Sequence, residues 1–299
     1  ADGSDMMGSL RTPAAFNNVY GLRTSFGLVP HGPTEEVFFQ QFSVAGPMAR
    51  NIPDLALLLS VQAGFDARLP LTRRHDDVAA LGQPLERDFH GARIGWLGDL
   101  GGHLPCEPGV LETCEQALAH FRSVGCTVDA AVPAFDLEQL WNAWIDLRSF
   151  SVAGANAALY RDPAKRPLLK AEAVWEIERG MRLSALQVYD AARVRSAWYQ
   201  VLRGLFERFD FLVMPAAQVF PFAAELDWPH AVGGRAMDTY HRWMQAVVPA
   251  TMAGLPALAA PAGFGPGGLP AGLQIIGPAQ CDAAVLQIGH AYDQASGHA

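Results

Sequence analysis

With 299 residues, half of them hydrophobic and 17% charged, the chain has the composition of a globular protein large enough for one big domain or two ordinary ones. Its 30 acidic and 22 basic residues give a formal charge of -8, with no basic cluster beyond Arg73-Arg74, which argues against nucleic acid as a partner. No run approaches the ~18 uninterrupted apolar residues of a membrane helix, and no basic segment leads into an apolar run as an export signal would.

Residues 3–15, GSDMMGSLRTPAA, open the chain with a small-residue turn that carries Ser9, and Thr12-Pro13 begin a short helix. A helix is expected over Pro53–Ala63, with proline at its start and apolar residues on more than one face. Residues 66–90 are polar and charged at RRHDD and read as a surface excursion. Arg93–Leu97 is a strand candidate; Glu107–Val124 follows with Val110, Leu111, Cys114, Leu118 and Phe121 at helical spacing. Cys126–Ala131 completes a strand–helix–strand unit of the kind that makes a parallel crossover.

The middle, about 135–208, reads as helical, with Leu183-Ser184 capping a long helix through Phe206. Phe211–Met214 is a buried strand, 215–235 a loop, and Thr239–Ala253 a helix ended by Gly254. Strands over Ala257–Ala260 and Leu273–Ile276 flank the Gly263–Pro270 loop, and a helix closes the chain from Asp282 to Ser296. One continuous domain over 1–299 is expected, with 135–210 as a helical layer within it.

The four cysteines, Cys106, Cys114, Cys126 and Cys281, show neither Cys-x-x-Cys spacing nor paired histidines, so they read as free thiols of a reducing compartment. A cytoplasmic location, no metal and no cofactor are therefore expected. The glycine loop GFGPGGLPAG lacks the strand–GxGxxG–helix order of a phosphate-binding turn.

Ser9 is the candidate nucleophile. A serine hydroxyl needs a base and donors aimed at the oxygen that becomes negative. Met6, Met7, Gly8 and Ser9 could give consecutive N–H groups a curved, anion-cradling arrangement. The other reading is that Ser9 caps the helix begun at Thr12-Pro13. Asp5 and Arg11 could brace the loop from either side, or form an ordinary surface ion pair. His31 and His103 have no spacing that suggests a triad and read as satisfied or exposed. Trp141, Trp144 and Phe150 recur at near-helical spacing, as core or as the wall of a substrate pocket.

In four ordered blocks the chain resembles the amidase signature family. GSDMMGSLRTPAAF with VYGLRTSFGLVP is similar to G-[ST]-D-x-G-G-S-[IV]-R-x-P-A followed by GLKPTxGRVS. FSVAGPMARNIPDLALLLSVQAGFD, FHGARIGWL and PATMAGLPALAAPAGFGPGGLPAGLQIIGP resemble three further segments of that family.

The resemblance implies an α/β fold with a mixed, largely parallel central sheet wrapped by helices, here lacking its N-terminal part. It implies a Ser–cis-Ser–Lys amide hydrolase working through an acyl-serine intermediate. Ser9 would be the nucleophile and the N–H groups of Met6, Met7, Gly8 and Ser9 the oxyanion hole. Ser4, Asp5 and Arg11 would support the loop.

Two departures stand out. Met7 replaces the first glycine of Gly-Gly-Ser, which requires its side chain to point away from substrate. The family's lysine and cis-serine lie upstream of the signature, where only Ala1 and Asp2 stand here; Lys165 and Lys170 lie in the wrong region to replace them. Taken alone, the chain is therefore expected to be N-terminally truncated and inactive.

The expected substrate is a small, apolar, linear or cyclic amide, with specificity set within 135–240. The alternatives are a non-catalytic truncated paralogue acting as a binding module and a glutamine-dependent amidotransferase subunit. The missing N-terminal segment or a partner chain is the expected macromolecular partner, and a homodimer is left open.

Overall fold

The computed structural model describes residues 1–32, 34–39, 41–73, 81 and 84–298. Most of the charged RRHDD run lies outside these residues. The chain divides into two compact units, residues 1–133 with 202–299, and residues 134–201.

The first unit is built on an eight-stranded sheet. Its order is β1 (Asp2–Asp5), β3 (Val44–Ala49), β2 (Tyr20–Arg23), β9 (Ala257–Phe264), β10 (Pro270–Ile276), β6 (Phe211–Pro215), β4 (Arg93–Trp96) and β5 (Thr127–Ala130). A separate two-stranded ribbon, β7 (Ala231–Val232) with β8 (Arg235–Ala236), ends the loop expected over 215–235. In the main sheet β4 pairs in parallel with β5 and β6, and every other pairing is antiparallel. The sheet is mixed, as expected, but its parallel part is confined to β6-β4-β5. Parallel neighbours need a crossover, which α3 (Val110–Ser123) supplies between β4 and β5. β9 and β10 are joined instead by a tight turn closed by the Gly265 N–H to Leu269 O bond at 2.9 Å, which can only reverse the chain.

Helices cover both faces. On one face α2 (Ile52–Gln62), α3 and α8 (Asp282–Ser296) bury Leu55, Leu59, Phe121, Val285 and Ile288 against Leu22, Ile94, Val213, Leu258 and Ile275. Asn51 caps α2 by accepting the Asp54 N–H at 2.8 Å. On the other face the short α1 (Arg11–Phe16) lies on the sheet through Ala14 and Ala15, beside Ala216 and Ala259. This approach is close because the sheet presents Gly272, where a Cβ would stand 2.6 Å from the Ala15 Cβ. Gly272→Val is expected to lift α1 and cost about 1–3 kcal/mol as an overpacked contact. A urea titration checks it, and an unchanged midpoint would contradict it.

The second unit contains α4 (Leu137–Arg161), a 3₁₀ turn at Arg166–Leu168, α5 (Ala171–Arg182) and most of α6 (Ala185–Leu205). These are the helices expected from residue 135 onward. α4 begins where Asp136 accepts the Glu138 and Gln139 N–H groups at 3.0 and 2.9 Å. α6 begins at the Ser184–Gln187 capping box, with reciprocal bonds of 3.2 and 2.9 Å. Arg148 pairs with Glu176 between α4 and α5.

Two expectations needed correction. The helix expected over Thr239–Ala253 is a 3₁₀ segment, Arg242–Val247, followed by α7 (Val248–Ala253). Pro249 has no N–H, so it is tolerated only in the first turn of an α-helix and breaks a longer one. Strands β1, β2 and β3 were not anticipated, because the glycines at 3, 21 and 46 and Pro47 argue locally against strand structure.

Candidate active site

Ser9 sits on the Met6–Leu10 loop, between edge strand β1 and α1. It is exposed, whereas Gly8 and Leu10 on either side are buried. The helix cap position is Leu10, with no capping side-chain bond, so the cap reading of Ser9 does not hold. The Ser9 side chain is left facing outward by a loop that is held from within.

What holds the loop is Asp5, fully buried at the end of β1. Its Oδ1 accepts the Gly8 N–H at 2.8 Å and its Oδ2 the Leu10 N–H at 3.4 Å. Arg11 binds the same carboxylate in a bidentate fork, Nε to Oδ2 at 2.9 Å and Nη2 to Oδ1 at 3.0 Å. Both side chains are 0% exposed, so this is a buried pair and not an ordinary surface one. Burial by itself pushes the Asp5 carboxyl up; the Arg11 charge and hydrogen bonds, with Arg23 and the Gly8 N–H, hold it well below the usual carboxylate range.

Arg11 uses all five of its N–H donors. Beyond Asp5, Nη1 reaches Val247 O at 2.9 Å and Gln274 Oε1 at 2.8 Å, and Nη2 reaches Thr251 Oγ1 at 2.8 Å. Arg23, also fully buried, donates from Nη1 to the Asp5 carbonyl at 2.6 Å and to Phe42 O at 2.9 Å. The loop therefore stands on a buried ionic cluster assembled from β1, α1, β2, α7 and β10.

Gly8 is the hinge. Its φ of +80° is a left-handed conformation that favours glycine. A Cβ there would stand 2.7 Å from Val247 Cγ1 and 2.8 Å from Thr12 Oγ1. Gly8→Ala is expected to cost about 1–3 kcal/mol of stability and to displace Ser9; an unchanged thermal midpoint would contradict it. The Gly8 N–H, expected among the oxyanion donors, is turned inward onto Asp5 and is engaged there. Met7 is buried and Met6 is half-buried.

The remaining candidates fall elsewhere. Ser4 is exposed on β1 opposite Ala45. Trp141 and Trp144 lie in the second unit, 3% and 1% exposed and stacked with ring centroids 5.3 Å apart, which favours the core reading. His31 is exposed and lines a cleft of about 520 Å³ with Asp2, Val29, Ala45 and Gln62. His103 Nε2 is 3.1 Å from Gln245 Nε2. Lys165 and Lys170 are exposed in the second unit. Among the described residues no three histidine, cysteine or acidic side chains group as a metal site would, and no helix is long and apolar enough to cross a membrane.

Sequence reasoning gave no role to Arg23, Thr251 or Gln274. The available signal was a polar residue inside an apolar run, as in Leu273-Gln274-Ile275, since a buried polar group must find a partner.

A mixed sheet between helical layers matches the fold that the four sequence blocks imply. A family model described as Amidase matches residues 1–286, and the chain belongs to the amidase signature family. Among curated relatives, a glutamyl-tRNA(Gln) amidotransferase subunit from Ralstonia nicotianae is 32% identical over 332 positions, covering 99% of this chain and 65% of the relative. Among solved structures, a bacterial aryl acylamidase of the amidase signature family superposes with a TM-score of 0.88 at 27% identity, covering 99% of this chain and 62% of that one. The 6-aminohexanoate cyclic dimer hydrolase has a TM-score of 0.80 at 20% identity, covering 99% and 64%, which is a likeness of fold alone. The chain thus spans just under two thirds of the length of these relatives.

Proposed function

We propose that the intact protein hydrolyses the carbon–nitrogen bond of a small, apolar amide, with Ser9 as nucleophile. The observation that carries this reading is the loop itself: Ser9 is exposed while its two neighbours are buried and donate their N–H groups to one buried carboxylate. Ser9 Oγ adds to the amide carbonyl carbon and gives its proton to a base. The C–N bond then breaks, the amine leaves with a proton, and water hydrolyses the acyl-serine ester.

The N–H groups of Met6, Met7 and Ser9 are the proposed oxyanion donors; Gly8 is left out because Asp5 holds its N–H. In the family the base is a lysine relayed through a serine ahead of the signature. Neither Lys165 nor Lys170 is proposed for it.

Intact-mass spectrometry with a serine-directed fluorophosphonate tests the assignment. One adduct mapping to Ser9 is expected. An active amidase labelled elsewhere would overturn it, and a protein with neither adduct nor amide hydrolysis would be the non-catalytic binding module. The 32% identity to an amidotransferase component favours a second reading, release of ammonia from glutamine for a partner protein. A glutaminase assay with and without partner proteins separates the two.

A further inference from the structure

Strand β10 crosses the sheet as an apolar run interrupted by Gln274, whose side chain is 0% exposed. Its Oε1 accepts from Arg11 Nη1 at 2.8 Å, and its Nε2 donates to Pro215 O at 3.0 Å and Ala246 O at 2.8 Å. Two carbonyls on one end and a guanidinium on the other fix which way the amide points. The reversed amide would set its N–H groups against donors and its oxygen against carbonyls.

Two lines of support for the Ser9 loop start from this one side chain. Through Arg11 it braces Asp5, which holds the amides of Gly8 and Leu10. Through Ala246 O it fixes the peptide next to Val247, whose side chain stands against Gly8. We propose that Gln274 is a positioning residue for the Ser9 nucleophile, acting through Arg11 and Asp5. The proposal rests on Ser9 being the nucleophile, as argued above.

Gln218 provides the control. It is also 0% exposed, and it accepts the Ala246 N–H, from the peptide preceding the one Gln274 holds, at 3.0 Å while donating to Pro105 O at 2.9 Å. Its bonds do not involve Arg11. Gln218 and Gln274 thus separate holding the fold together from aiming the loop.

The test compares the intact wild-type protein with Gln274→Met, Gln274→Glu and Gln218→Met. Readouts are the rate of fluorophosphonate labelling at Ser9 on the folded fraction, kcat and KM for an anilide, and the thermal midpoint. Gln274→Met is expected to slow labelling and lower kcat by roughly 10- to 100-fold with KM little changed, the size expected of a misplaced reacting group. Gln274→Glu keeps an acceptor for Arg11 but sets its second oxygen against Pro215 O and Ala246 O, so any recovery over Gln274→Met supports the Arg11 contact. Gln218→Met is expected to lower the thermal midpoint while labelling stays within about threefold of wild type, because a lost neutral hydrogen bond weakens folding without moving Arg11.

Wild-type labelling in Gln274→Met would overturn the proposal. So would a loss in both methionine variants that simply follows their thermal midpoints. If wild-type Ser9 itself is unlabelled, the nucleophile assignment has failed instead.

Discussion

Ser9→Ala in the intact protein is expected to lower amide-hydrolysis kcat on the order of 10⁴- to 10⁶-fold, because the members of a nucleophile–base unit act together. The same variant is expected to fold normally. The loop is held by the Gly8 and Leu10 amides on Asp5 and by the five bonds of Arg11, none of which uses the Ser9 side chain. The paired measurement is therefore kcat on an anilide together with the thermal midpoint. Hydrolysis retained within tenfold of wild type would remove Ser9 from the mechanism.

The second large effect is on stability. Asp5→Ala leaves the guanidiniums of Arg11 and Arg23 without the buried carboxylate they share, and breaking a buried pair costs about 3–5 kcal/mol. Asp5→Asn keeps one acceptor oxygen and the volume, so it should lose less. Urea titrations of the three proteins at pH 7 read the difference, and a loss under about 1 kcal/mol in Asp5→Ala would contradict this account.

The pH dependence has a definite sign. Asp5 is held below the usual carboxylate range in the folded state, so its contribution is complete above the unfolded carboxylate pKa of about 3.9. It is lost as the pH falls from there through the folded value. The midpoint difference between wild type and Asp5→Asn should be flat near neutrality and shrink only below about pH 4. A difference that instead grows on acidification would reverse the assignment of Asp5 as an ionised anchor.

Much of the fold was legible because its signals are local. The expected helix over Pro53–Ala63 is observed as Ile52–Gln62, and the expected closing helix Asp282–Ser296 is observed with those bounds. Caps, prolines and apolar spacing act within one or two turns of chain, so they survive without tertiary context. The signature block likewise put Asp5, Ser9 and Arg11 within seven residues of one another.

Other features depended on what met what in space. Whether Asp5 and Arg11 were a surface pair or a buried anchor turned on α1 lying over Gly272, and whether the Gly8 amide faced outward turned on that anchor. The residues that complete the cluster, Val247 and Gln274, are 236 and 263 positions from Arg11. Strand direction was similarly settled by the tight β9–β10 turn and by which strands became neighbours. The sequence by itself determined most of the helices, the family and the place of the candidate serine loop. The tertiary structure decided how that loop is held, because a hydrogen bond needs a partner at about 3 Å, and no local pattern says which distant residue will arrive there.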